Sequence, residues 1–231
     1  MEDVLGEAIL DFYHGHKKHK LWIHNTYGPK EEMPVAVYFR DAVAMPEMER
    51  RALQLCKGKV LDVGCGAGSH SLLLQQMGLD VTSIDISAKA VEVARHRGVH
   101  KCFQADVFNF RHTKFDTLLL LMNGIGLTSN LDGLSRFLHH AKTLVKKRGQ
   151  LLFDSSDVAY LYTGGAKPTG RYYGEITYRY EYKKKTTDPF SWLYVDAQTL
   201  TEVATAAGWH TQVVMEDDYD QYLARLTQAD S

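Results

Sequence analysis

Three glycines at alternate positions, Gly64, Gly66 and Gly68, follow an apolar run in "VLDVGCGAGSHS", and the run itself carries an acid, Asp62. A strand that breaks into glycines lets backbone close on a ligand, because glycine accepts angles and approaches that a Cβ forbids. Charge decides which ligand. A loop that holds a pyrophosphate has the spacing GxGxxG and turns backbone N–H groups toward the phosphates. Here the spacing is GxGxG. A carboxylate ~4 Å from a phosphate repels it by roughly 4 kcal/mol at an effective dielectric of about 20. Asp62 therefore disfavours a dinucleotide or ATP, and the absence of GK[ST] after the glycines excludes a P-loop.

Two more acids follow at the ends of the next apolar runs. "VTSIDIS" places Asp85 where a carboxylate can accept both hydroxyls of a ribose. "FQADVFNF" places Asp106 where it can accept from an adenine amino group, with Val107 or Phe108 over the ring face. An adenosyl ligand with a cationic centre and no phosphate suits this pattern of charge. S-adenosylmethionine, with its sulfonium and ammonium, is such a ligand.

The elements that must carry these residues are legible as a βαβ alternation. Strands are expected at Lys59 to Val63, Asp80 to Ile84, Lys101 to Gln104, Thr117 to Met122 and Gln150 to Asp154, with helices between them. Leu131, Leu134, Phe137, Leu138, Ala141 and Val145 form the apolar stripe of one such helix. Val4 to Tyr13 and Pro46 to Cys56 read as helices, and the polar, His-rich stretch from 14 to 34 reads as a loop or lid. Ile176, Tyr178, Tyr180 and Tyr182 alternate with polar residues as a strand does. A helix from Asp196 to Ala207 and a final strand from Trp209 to Met215 close the chain.

From about Lys59 to Asp154 the sequence resembles the class I S-adenosylmethionine-dependent methyltransferases. "VLDVGCGAG" is similar to the family's first motif, Asp85 to its second-strand acid and "QADVF" to its third-strand motif. "FDTLLLLMNGIGL" resembles the fourth motif, beside the transferred methyl group, and "RGQLLFDSSD" the fifth strand. The resemblance implies an α/β, Rossmann-like seven-stranded sheet with its last strand antiparallel and helices on both faces. It implies S-adenosyl-L-methionine as cofactor, held by Asp62, Gly64, Cys65, Gly66 and Gly68 at the methionine end and by Asp85 and Ile86 at the ribose. Asp106 and Val107 would take the adenine, and Met122, Asn123 and Gly124 would lie near the methyl group. On this reading residues 1–57 form an N-terminal helical cap, and 58–231 the methyltransferase domain with a β-hairpin inserted at about 170–195.

Methyl transfer is an in-line displacement, so the protein mainly aligns the partners and excludes water. "NGIG" at Asn123 lacks the prolines of a [DN]PP[YF] signature for amino groups on adenine or glutamine, and no cysteine stands near for cytosine C5 chemistry. Asp154 and Asp157 make an incomplete set for metal-dependent transfer, so no metal is expected. What remains is a small-molecule nitrogen or oxygen acceptor. A methyltransferase acting on RNA or protein, and a non-catalytic cofactor-binding module, are the alternatives. For the first, the basic stretch "HGHKKHKLWIH" is the only motive.

Bulk composition agrees with the leading reading. With 45% hydrophobic and 24% charged residues and a formal net charge of -1, the chain has no excess of positive charge for nucleic acid. No apolar run approaches the roughly 18 residues of a membrane span, and the acidic N-terminus differs from a basic signal peptide. A cytoplasmic monomer or homodimer with three reduced cysteines is expected. Cys65 reads either as a reactive thiol or as a small residue filling a tight loop. Tyr13, Trp22, His24, Asn25 and Tyr27 are candidates to close over the cofactor or to cage a substrate amine. Asn123, His24 and Tyr27 are the candidates for catalysis, and one histidine of the 14–24 stretch could serve as general base, with no spacing to select which.

Overall fold

The computed structural model describes residues 2–111 and 113–229. Its first half runs α1 (Val4–Tyr13), β1 (Leu21–His24), β2 (Glu31–Met33), α2 (Glu47–Leu55), β3 (Lys59–Val63), α3 (Ser69–Gln76), β4 (Asp80–Asp85), α4 (Ala88–His96) and β5 (Cys102–Gln104). Then come β6 (Phe115–Leu120), α5 (Leu131–Leu144), β7 (Val145–Ser156), β8 (Glu175–Tyr182), β9 (Lys185–Thr186), β10 (Phe190–Leu193), α6 (Ala197–Ala206), β11 (Trp209–Glu216) and β12 (Gln221–Gln228). Short 3-10 helices fill Val35–Phe39, Gly124–Thr128 and Ala159–Tyr162.

A seven-stranded sheet has the order β11-β12-β7-β6-β3-β4-β5. The strand-to-helix alternation produces it: β6 and β7 pair in parallel, as do β4 and β5, whereas β12 is antiparallel to both β7 and β11. The inner strands are near-continuous apolar runs because both of their faces are covered. Val60, Leu61, Leu118, Leu119, Leu151 and Leu152 have no exposure. Single side chains cap the helices. Asn130 accepts from Gly133 N at 2.7 Å to start α5, Ser87 from Ala90 N at 3.0 Å to start α4, and Asp196 from Thr199 N at 2.9 Å to start α6.

A second, smaller sheet has the order β10-β8-β1-β2, with β9 paired to β8. It corrects the reading of 14–34 as a loop, since β1 and β2 pair antiparallel with Leu21 opposite Met33, and Trp22 pairs with Glu181 of β8. A four-residue strand has too little periodicity to announce itself, and its partner lies far downstream. The end of the chain also differs from expectation. Two strands follow Gly208, not one, and the antiparallel member of the large sheet is β12, not the segment beginning at Trp209. The strand expected to reach Met122 stops at Leu120, because Met122 and Asn123 take left-handed angles, φ 60 and 52.

The chain divides into two compact units. One gathers Met1–Pro46, Leu61–Phe110 and Thr177–Phe190; the other gathers Glu47–Val60, Arg111–Ile176 and Ser191–Ser231. In the first, α1 packs Val4 and Ala8 against Leu21 and Tyr182. Lys183 pairs with Asp11 at 2.5 Å and Lys185 with Glu7 at 2.6 Å, so this lysine cluster grips α1 as well as facing solvent. No helix among the described residues is long and apolar enough to cross a membrane.

Candidate active site

In the first unit β3 delivers the chain into the glycine turn. Gly64, Gly66 and Gly68 have φ of 73, 53 and 83, the left-handed region in which only glycine is unstrained. Four N–H groups of this turn are already bonded inside the protein. Gly64 and Cys65 donate to Ile84 O at 2.8 and 3.1 Å, Gly68 donates to Cys65 O at 2.8 Å, and Gly66 donates to Asp85 Oδ2 at 2.9 Å. A phosphate cradle needs such groups pointing at the ligand, and this turn spends most of its donors within the chain.

The acids divide their labour in a way the sequence did not reveal. Asp62 is 1% exposed and accepts the Ser71 hydroxyl, which in turn meets Ser83 Oγ at 2.7 Å. Burial pushes its carboxyl above the usual range, opposed by His70 and Ser71. Asp62 is therefore a support beneath the turn and not a surface of it. Asp85 ends β4 half-buried, with Oδ2 on Gly66 N and Oδ1 accepting from Ser87 N at 2.8 Å. Each oxygen retains capacity for one further donor, which is what a ribose diol offers. Burial again raises the carboxyl, against the Ser87 and Gly66 bonds. Ile86 next to it is 75% exposed, Val107 is buried, and Asp106 is exposed, taking Phe108 N at 2.9 Å and Asn109 Nδ2 at 3.0 Å.

Residues that sequence reasoning missed cover this turn. A Cβ on Gly66 would lie 3.1 Å from the Tyr38 ring, so that aromatic rests on the bare backbone. Ser69 donates to Tyr38 O at 2.8 Å, and Arg97 Nη1 donates to Ala67 O at 2.6 Å and to Ser69 Oγ at 3.1 Å. The Arg97 guanidinium also lies 4.9 Å from the Phe39 ring centre. The only signal in the sequence was the aromatic pair in "VAVYFR". Beneath the turn, Cys65 Sγ stands 3.7 Å from Cys102 Sγ, and all three cysteines are buried thiols outside any disulfide. Cys65 thus fills a tight interior and is no exposed nucleophile.

The residues proposed for the lid are placed variously. Alternate side chains of a strand face opposite ways, so Trp22 and His24 lie on the face of β1 opposite Leu21, away from α1. There His24 Nε2 meets Glu181 Oε2 at 2.6 Å, and Lys30 joins Glu181 at 3.2 Å. These partners hold the Glu181 carboxyl below the ordinary range. Lys30 also sits 4.8 Å over the Trp22 ring. Asn25 is consumed by its own turn, accepting from Tyr27 N at 3.1 Å and Gly28 N at 2.7 Å. Tyr27 OH reaches Tyr178 OH at 3.3 Å, and Tyr13 stacks on His96 with centres 6.0 Å apart.

In the second unit Met122, Asn123 and Gly124 form a turn after β6. Asn123 N donates to Asp154 Oδ2 at 2.9 Å, its Nδ2 to Leu193 O at 3.1 Å, and its carbonyl accepts from Trp192 Nε1 at 3.1 Å. These three bonds, none of them local in sequence, hold the left-handed angle. Asp154 is 2% exposed and also accepts from Gln221 Nε2 at 2.9 Å. Burial raises its carboxyl to about 6 despite those bonds, with Glu49 adding to the rise.

Comparison with known proteins agrees with this geometry. The family described as "Methyltransferase domain" matches residues 61–153. Ubiquinone biosynthesis O-methyltransferase of Coxiella burnetii (strain Dugway 5J108-111) is 30% identical over 118 residues, 46% of this chain and 49% of that protein. The protein of the same name from Xanthomonas oryzae pv. oryzae (strain PXO99A) is 43% identical over 54 residues, 23% of each chain. The aligned stretches thus span half or less of these curated relatives. A crystal structure of an S-adenosylmethionine-dependent methyltransferase from Bacteroides fragilis, in complex with S-adenosyl-L-homocysteine, superposes with a TM-score of 0.90. It is 41% identical and covers 99% of this chain and 95% of its own. With likeness at that level over nearly the whole length, and a glycine turn whose donors are mostly spent within the chain while Asp85 keeps free lone pairs, this chain belongs to the class I S-adenosylmethionine-dependent methyltransferases.

Proposed function

We propose that the enzyme transfers a methyl group to a nitrogen or oxygen of a small molecule, in the cytoplasm. One observation carries this reading: the chain's own Val35–Phe39 segment rests on the glycine turn, with the Tyr38 ring on Gly66 and with Ser69 and Arg97 both donating to Tyr38 O. A covered turn suits a compact acceptor that can be enclosed, whereas a polymer needs an open track. The net charge of -1 supplies no excess of cations for a nucleic-acid backbone. The name shared by the two curated relatives, ubiquinone biosynthesis O-methyltransferase, is in keeping with a small acceptor.

In this proposal Asp85 holds the ribose on its two remaining lone pairs, and exposed Ile86 packs beside it. Asp106 and Val107 take the adenine. The backbone of Gly64, Cys65, Gly66 and Gly68 receives the methionine end, with Asp62 acting through the turn that it supports. From the family's fourth motif we assign Met122, Asn123 and Gly124 to the same ligand. When bound, S-adenosylmethionine supplies a methyl carbon already activated by its sulfonium. The chain's part is to orient and to exclude water, which alone can supply several kcal/mol (about 7–11 for well-aligned reactants). Incubation with methyl-labelled S-adenosylmethionine and fractionated cell extract tests the assignment. Label should enter the small-molecule pool; label in RNA or protein, or none transferred at all, overturns it.

A further inference from the structure

Resting on the small-acceptor reading, we infer that Tyr173, flanked by Tyr162, Tyr172, Asp157 and Asp196, is a recognition site for a cationic amine of the acceptor, and that the ammonium of Lys167 stands in for that group. The second unit builds the cluster after β7. Tyr173 OH donates to Asp157 Oδ1 at 2.7 Å and lies 3.3 Å from Asp196 Oδ2, while Tyr172 OH donates to the same Asp196 oxygen at 2.5 Å. Tyr162 OH donates to Tyr173 O at 2.8 Å. The Tyr172 and Tyr173 ring centres are 4.6 Å apart, and Tyr162 stands edge-on to Tyr173 at 6.3 Å. Lys167 Nζ lies 3.7 Å from the Tyr173 ring centre, closer than Lys30 lies to Trp22.

Three physical points make this a site for cations. A phenol that donates to a carboxylate becomes richer in electrons, which strengthens the attraction of its face for a cation. The phenols stay neutral near pH 7, since burial and Asp196 push Tyr172 up to about 12, and burial with Tyr172 and Asp157 raises Tyr173. Asp196 stays ionised: although burial opposes it, bonds from Thr199 and Tyr172 hold its carboxyl below the ordinary range. The two carboxylates are bonded to the phenols, and the lysine lies over the face of one of them. That lysine is exposed and rides the glycine-bearing stretch "TGGAKPTG", in which nothing lies within 4 Å of a Cβ on Gly164, Gly165 or Gly170. Its displacement would break no packing at those glycines. A nucleophilic nitrogen needs its lone pair, so the amine held here as a cation is a recognition group and not the attacking atom.

Tetramethylammonium is a suitable probe, because it carries charge and methyl groups but no proton to donate. In titrations of the full chain followed by proton NMR, ring current should move the probe's methyl signal upfield. Lys167→Ala should bind the probe about three- to tenfold more tightly than the wild type, having lost the internal competitor. Tyr173→Phe should retain binding and Tyr173→Leu should lose about tenfold or more. Equal affinity in Lys167→Ala and wild type, or unchanged affinity in Tyr173→Leu, overturns the inference. Lys167 is exposed, so its substitution keeps the test available even if Tyr173→Leu fails to fold. The titration needs no methyl transfer, so its outcome is separate from that of the labelling experiment.

Discussion

Asp85 and Asp154 show how one residue type serves two ends. Asp85 spends one hydrogen bond per oxygen on the chain and keeps the rest for a ligand. Asp85→Ala should weaken S-adenosylmethionine binding in calorimetry by roughly ten- to a hundredfold, the equivalent of ~1.5–3 kcal/mol for bonds to a charged acceptor. Unchanged affinity would remove the ribose assignment. Asp154 instead faces inward, and its raised value near 6 has a definite sign. Between its ordinary value of 3.8 and about 6 the folded chain holds a proton that the unfolded chain has released. Stability from this group is therefore full below the unfolded value and lost as pH rises through the folded one, by about 3 kcal/mol. Asp154→Asn keeps an oxygen for Asn123 and Gln221 but does not titrate. The difference in melting temperature between variant and wild type should move in the variant's favour from pH 4 to 7 and stay level above; parallel curves would count against the shift.

At the scale of elements, the segment Val35–Phe39 is held to the glycine turn by few contacts, and Arg97 bridges the two, donating to Tyr38 O on one side and to Ala67 O and Ser69 Oγ on the other while lying against the Phe39 ring. Arg97→Ala should speed hydrogen exchange across this segment and raise the KM for S-adenosylmethionine several-fold while kcat changes little. A fall in kcat alone would contradict this positioning role. The contrast with the core strands shows what the sequence made legible. Continuous apolar runs such as "KVLDV" and "TLLLL" declare buried parallel strands, because burial on both faces leaves no other composition. The glycine turn was equally plain, since its left-handed angles admit little else. β1 and β2 were not legible, because pairing with β8 and packing on α1 make them strands. The turn at Met122 and Asn123 was hidden for the same reason: Leu121 and Met122 are apolar, and only bonds from Asp154, Leu193 and Trp192 bend the chain there. Tyr38 and Arg97 were missed because their targets are backbone atoms, which carry no sequence signature.

At the scale of the whole molecule, likeness to the Bacteroides fragilis structure extends over both compact units, although each unit is assembled from three separate stretches of chain. Neither unit is therefore a contiguous fragment that could be excised. The position of β12 adds a constraint in time. It lies between β7 and β11 and bonds to both, yet it spans Gln221–Gln228, so it is made after both of its neighbours. Until then two neighbours wait with unpaired backbone edges, the kind of surface that recruits stray strands. Synthesis thus sets the earliest moment at which this pairing can close, and a chain without β12 would leave β11 unpartnered and the edge of β7 bare, a ready target for chaperones and proteases.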